Sequence, residues 1–214
     1  MKLYDIINLC IEGYRGTPDY RDSDTGVEYS IITDIQSNTI GVCFNGSNDL
    51  EDWKTNFNFQ TFNQGIVKVH PGFAKGYKSI KKELEIDSIC QHLPTYTGTN
   101  SSEVKIKLFG HSAGGAIAVL AGLDLANKGF DNVRVYTFGS PAVGNLTHAN
   151  IIDDKLTHYR FYNIFDPVPY LPPKCFGYDF SGAVVFQLAW LWDVHGIESY
   201  FKEIQNSRLG KINF

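Results

Sequence analysis

The segment Gly110-His111-Ser112-Ala113-Gly114 holds the residues best suited to covalent chemistry in this sequence. Glycine two positions to either side of a serine permits a turn so tight that the hydroxyl is pushed clear of the backbone, where it can attack. The competing reading is a glycine-rich helix entry in which Ser112 only caps the helix. A serine hydroxyl is a weak nucleophile until a base removes its proton, so the first reading demands a histidine. In serine enzymes built on such an elbow, the chain order is serine, acid, histidine. His70, His92, His111, His148 and His158 do not follow both Ser112 and every plausible acid. His195 alone does.

The acid is less constrained. Asp124, Asp131, Asp153, Asp154, Asp166, Asp179 and Asp193 lie between Ser112 and His195, and no glutamate does. Asp124 belongs to the helix after the elbow, and Asp131 leads into the next strand on the wrong edge. Asp153 and Asp154 read as a solvated pair on a polar helix. Asp193 is close to His195 in sequence, but side chains two residues apart rarely face each other. Asp166 follows a strand directly, and Asp166-Pro167 makes the chain turn there. Asp166 is the leading candidate, with Asp179 behind it.

These residues need a scaffold that brings them together. Val104–Phe109 reads as a strand, with Val104, Ile106 and Leu108 alternating with lysines, and an apolar helix follows the elbow through Leu125 to a stop at Gly129. Further strands are expected at 28–33, 39–44, 66–69, 133–138 and 158–164, with a turn at Ser37-Asn38 between the first two. Phe73, Tyr77, Ile80 and Leu84 recur at helical spacing and predict a helix over 72–92. Leu3, Ile6, Ile7, Cys10, Ile11 and Tyr14 mark one face of an N-terminal helix. Strands alternating with helices point to an α/β fold around a mostly parallel sheet, whose sites form beyond the carboxyl ends of the strands. Ser112 and Asp166 both fall there.

Composition narrows the function classes. The 214 residues, 43% hydrophobic and 20% charged, suit one globular domain over 1–214. Nineteen basic against 23 acidic residues leave a net charge of −4, which lacks the basic footprint that a nucleic-acid partner requires. No run reaches the roughly 18 apolar residues of a membrane span. Asp5 and Asn8 break any signal-like apolar region, so the expected location is cytoplasmic, secretion with a separate leader being the alternative. Four cysteines lack metal-ligand spacing and read as thiols, mostly buried, and no cofactor or metal is expected.

Further motifs carry a resemblance that covers nearly the whole chain. They are Phe44-Asn45-Gly46-Ser47, Asp52-Trp53, Val69-His70-Pro71-Gly72-Phe73, Gly110 to Gly115, and Phe138 through Asn145. Asp166-Pro167-Val168-Pro169, Pro172-Pro173, and His195 with Ser199-Tyr200-Phe201 complete the series. With these in order, the chain resembles the fungal-type class 3 (triacylglycerol) lipases. The resemblance implies an α/β-hydrolase fold, a triad of Ser112, Asp166 and His195, and cleavage of acyl esters, acylglycerols first among them. Phospholipids or aromatic esters are the alternatives within that class, and a non-catalytic lipid-binding homologue lies outside it. It also implies an oxyanion hole from the Ala113 N–H, at the positive end of its helix, and from Ser47. A His-Gly-Gly-Gly run, which would supply a different oxyanion hole, is absent from the sequence. Leu50, Trp53 and Phe57 resemble the apolar stripe of a short lid that touches a lipid interface transiently. Two positions depart from the family pattern: Asn45 stands where arginine is usual, and Asn56 where aspartate is usual. The second weakens the expected anchoring of the oxyanion-hole hydroxyl.

Overall fold

The computed structural model describes residues 8, 11–12, 15–45, 66–84, 103–187 and 193–206. After helical residues at 8, 11, 12 and 15 come three strands, β1 (Tyr20–Arg21), β2 (Glu28–Asp34) and β3 (Thr39–Asn45), paired antiparallel. The β2–β3 hairpin closes through Asp34, whose carboxylate accepts from the N–H groups of Gln36 and Ser37, and through Asn38 at φ 51°. Asparagine tolerates that left-handed conformation better than most residues. The chain continues as α1 (Pro71–Lys81), β4 (Lys105–His111), α2 (Ala113–Asn127), β5 (Val133–Phe138) and α3 (Leu146–Lys155). It ends in β6 (Thr157–Asn163), β7 (Ala183–Gln187) and α4 (Ile197–Asn206). The strands stand side by side in chain order, and β3 through β7 run parallel. This is the α/β-hydrolase architecture that the resemblance implied, with a mostly parallel sheet flanked by helices.

Both faces of the sheet are covered, as a parallel sheet requires. On one face Ile40, Val42, Ile106, Leu108, Val133 and Val135 pack against Phe73 and Ile80 of α1 and against the apolar body of α2. The residues between them, Cys43, Phe109, Tyr136 and Phe138, point to the other face and meet Ile11, Tyr200 and Ile204. Period-two alternation therefore builds two cores from one set of strands. Lys107, one of the lysines alternating with the apolar residues of β4, is buried, with its ammonium 6.0 Å from the centre of the Tyr136 ring.

Two expected elements need correction. The strand expected at 66–69 shrinks to a single bridge from Val69 to Gly144. Asn145 takes the place of a partner strand there: its side chain accepts from the Lys68 N–H and donates to the Ile66 carbonyl. The helix expected over 72–92 ends at Lys81. Leu84 keeps the helical spacing because it lies in the closing turn, its N–H bonded to the Ile80 carbonyl, and it still packs on the core. β7, which was not expected as a strand, pairs with β6 along its whole length. Of the cysteines, Cys43 is buried and Cys175 exposed, both as free thiols, so burial holds for one of the two. Cys10 and Cys90 lie outside the described residues, as does most of the expected N-terminal helix.

Candidate active site

Ser112 sits between β4 and α2 at φ 54° and ψ −129°, a conformation that costs a non-glycine residue about 1–3 kcal/mol. The flanking elements impose it. The Ser112 N–H is tied to the Phe138 carbonyl at 2.9 Å, and β4 and α2 are buried along most of their lengths. Gly110 makes the approach possible, since a Cβ there would lie 2.2 Å from the Gly114 carbonyl oxygen. The Ser112 side chain makes no capping bond to α2. Its Oγ lies 2.9 Å from His195 Nε2 instead, which removes the helix-cap reading.

His195 links the serine to the acid. Its Nδ1 donates to Asp166 Oδ2 at 2.6 Å, so Nε2 is left free of a proton to accept from the Ser112 hydroxyl. Asp166 follows β6 by three residues and is completely buried. Burying a carboxylate is costly unless donors surround it. Asp166 has three: His195, the Val168 N–H on Oδ1 at 2.9 Å, and the Tyr200 hydroxyl on Oδ2 at 2.8 Å. Burial and the neighbouring Asp166 charge push the Tyr200 phenol well above its ordinary range, so it stays a proton donor. The Tyr200 oxygen in turn accepts from the Asn163 N–H at 3.1 Å.

Tyr200 and Asn163 were not singled out as functional by sequence reasoning. Tyr200 stands five residues after His195 on α4, where it reads as one of the apolar residues of an amphipathic helix. Asn163 holds the histidine segment by donating from its amide to the Val194 carbonyl at 3.1 Å. Gly139 is the third such residue. At φ 59° it turns the chain after β5, and a Cβ there would meet Asp166 Oδ2 at 2.9 Å, the Tyr200 hydroxyl at 3.0 Å and His195 Cε1 at 3.2 Å.

The remaining candidates have other employment. Asp179 binds the Lys174 ammonium at 2.7 Å, and that bond holds its pKa below the ordinary carboxylate value. Asp193 accepts from the Gly196 N–H at 3.0 Å, just before α4. Asp124 binds Lys81 at 2.6 Å and Tyr77 at 3.0 Å. Asp153 and Asp154 lie exposed on α3. His70 caps α1 by accepting from the Gly72 N–H, and His158 is bracketed by Thr137 and Ser181. The Ala113 N–H is at the first position of α2, where a helix leaves its N–H groups without intrahelical partners. Asn45, at the first departure from the family pattern, is buried and accepts weakly from the Cys43 thiol at 3.7 Å. Ser47, Leu50, Trp53, Asn56 and Phe57 lie outside the described residues. No group of three or more metal-binding side chains occurs among the described residues.

Comparison with known proteins places the chain. The family model for lipase (class 3) matches residues 41–176. A secreted mono- and diacylglycerol lipase 1 from Fusarium solani is 34% identical over 160 residues, covering 72% of this chain and 45% of that protein. The chain thus spans about half the length of this relative. A crystal structure of a lipase from Rhizopus microsporus var. chinensis superposes with a TM-score of 0.69 at 30% identity, covering 78% of this chain and 59% of the other. A triacylglycerol lipase whose catalytic centre is formed by a serine protease triad superposes at 0.68 with 28% identity, over 78% and 64% of the two chains. With its elbow, sheet order and matched segment, this chain belongs to the class 3 lipase family.

Proposed function

We propose that the protein hydrolyses carboxylic esters through Ser112, His195 and Asp166. One observation carries this reading: a serine in a strained elbow faces a histidine nitrogen at 2.9 Å, and that histidine is oriented by a wholly buried carboxylate at 2.6 Å. Ser112 Oγ attacks the acyl carbonyl carbon while His195 Nε2 takes the hydroxyl proton. The carbonyl oxygen becomes an oxyanion facing the Ala113 N–H at the start of α2, with Ser47 as the second donor that the resemblance suggests. The ester C–O bond then breaks, and His195 returns the proton to the departing alcohol. Water, deprotonated by the same nitrogen, attacks the acyl-enzyme and releases the carboxylic acid, restoring Ser112.

Acylglycerols are the proposed substrates, on the strength of the relatives' names. The same names favour secretion over the cytoplasmic location expected from the chain itself. A lid bearing Leu50, Trp53 and Phe57 is proposed on the resemblance alone. Chromogenic esters of increasing acyl length, assayed beside a matched amide, test the proposal. Turnover of esters well above the amide, and its loss in Ser112→Ala, is the expected result. Folded protein that leaves every ester intact, or that prefers the amide, would overturn the reading.

A further inference from the structure

His111 precedes the nucleophile and takes no part in the proton transfers of the proposed reaction. It is 4% exposed at the last position of β4. Its Nε2 lies 2.5 Å from the backbone carbonyl oxygen of His195. A carbonyl only accepts, so Nε2 carries the proton and donates it. The His111 ring also packs against the His195 ring, with centroids 4.7 Å apart and planes at 37°, and edge-on against Tyr200 at 6.0 Å. Successive side chains of an extended strand point to opposite faces. Here the φ of 54° at Ser112 swings the serine round, so residues 111 and 112 both reach the same histidine. One grips its backbone and the other its ring.

We propose that His111 is a positioning residue, whose ring N–H holds the His195 backbone so that the His195 ring stays in line between Ser112 and Asp166. The need is local. Residues 193–196 lie in neither a helix nor a strand, and Asp193 bends the chain at φ 58°. The ring must nevertheless stay at 2.9 Å from one partner and 2.6 Å from the other. A displacement of about 1 Å at such a centre can cost 10²-fold in rate. Burial and the adjacent His195 push the His111 pKa down to about 3, so His111 stays neutral and places no second charge beside His195 when that ring takes up a proton. Asn163, donating to the Val194 carbonyl at 3.1 Å, gives a second hold on the segment.

The inference rests on His195 being the base, and the test keeps the two claims apart. Purified parent, His111→Gln, His111→Phe and His195→Ala are compared on one soluble ester, with thermal unfolding followed for each. Glutamine keeps an N–H donor, whereas phenylalanine keeps only the ring. The expected result is a kcat about 10- to 100-fold lower in His111→Phe with KM within about 2-fold, and recovery of most of that loss in His111→Gln. Equal losses in both variants that track lowered unfolding temperatures would assign His111 to structure alone and overturn the proposal. So would a folded His111→Phe with parental kcat. If that same panel shows His195→Ala dead, the base assignment survives while this inference fails; an active His195→Ala sinks both. Should His111→Phe not fold, nitrogen NMR of the labelled parent decides. The His111 ring is expected to hold its proton on Nε2 and to remain neutral from about pH 8 to 5. A proton on Nδ1, or titration in that range, would overturn the proposal.

Discussion

Asp166 serves two neighbours through one oxygen, His195 Nδ1 at 2.6 Å and the Tyr200 hydroxyl at 2.8 Å, while the Val168 N–H occupies the other. Three donors offset the cost of burying a carboxylate away from solvent. An amide at this position would turn a donor toward Nδ1 and stabilise the wrong histidine tautomer. Asp166→Asn is therefore expected to lower kcat by up to about 10⁴-fold. Asp179→Asn, which breaks only a surface pair with Lys174, is expected to stay within a few-fold of the parent. Steady-state kinetics of the two variants on the same ester decide the matter. A nearly normal Asp166→Asn beside a dead Asp179→Asn would mean that the acid is misassigned.

The turn from β5 into Gly139 forms one wall of the site at the level of the elements. Its φ of 59° is tolerated by glycine, and no open space remains for a Cβ beside Asp166, Tyr200 and His195. Gly139→Ala is expected to cost about 1–2 kcal/mol for the backbone conformation, read from urea unfolding, and to depress kcat by at least about 10-fold by parting acid from base. Kinetics unchanged from the parent would show that the wall yields freely. The strand, elbow and helix around Ser112 were legible because each local signal agreed: alternation in β4, paired glycines, then an unbroken apolar helix. His195 was legible through chain order, and Asp166 through its place between a strand end and a proline. The wall was not. Gly139, Asn163 and Tyr200 meet only in three dimensions, and each has an ordinary local reading as a turn, a strand end and a helix face. The lost strand at 66–69 failed for a related reason, since Asn145, nearly eighty residues on, takes up its backbone groups. β7 escaped notice because a short apolar run carries no period of its own.

At the scale of the whole molecule, four of the described histidines are buried and held neutral by desolvation. His70 and His148 are pushed down to about 4, and His111 and His158 to about 3. The unfolded chain binds protons at these rings near the ordinary value of 6.5, before the folded chain does. Stability is thus fully present above about pH 6.5 and is lost progressively as pH falls toward 4. The carboxylates with depressed pKa values, Asp22, Asp34, Asp124 and Asp179, begin to weaken the fold only below their ordinary 3.8. The urea midpoint should therefore be level above about pH 7 and fall steadily between about 6.5 and 4.5, with a shallower slope in His158→Gln. A midpoint that is flat through that window would contradict the burial of these rings. The central claim, that Ser112 is the residue that takes the acyl group, is tested most directly by covalent labelling. The folded protein is treated with an organophosphonate ester, digested, and the modified peptide identified by mass spectrometry. A single adduct on Ser112, absent from His195→Ala, is the expected result. An adduct on Ser140 instead, or none at all on folded parent protein, would contradict the account.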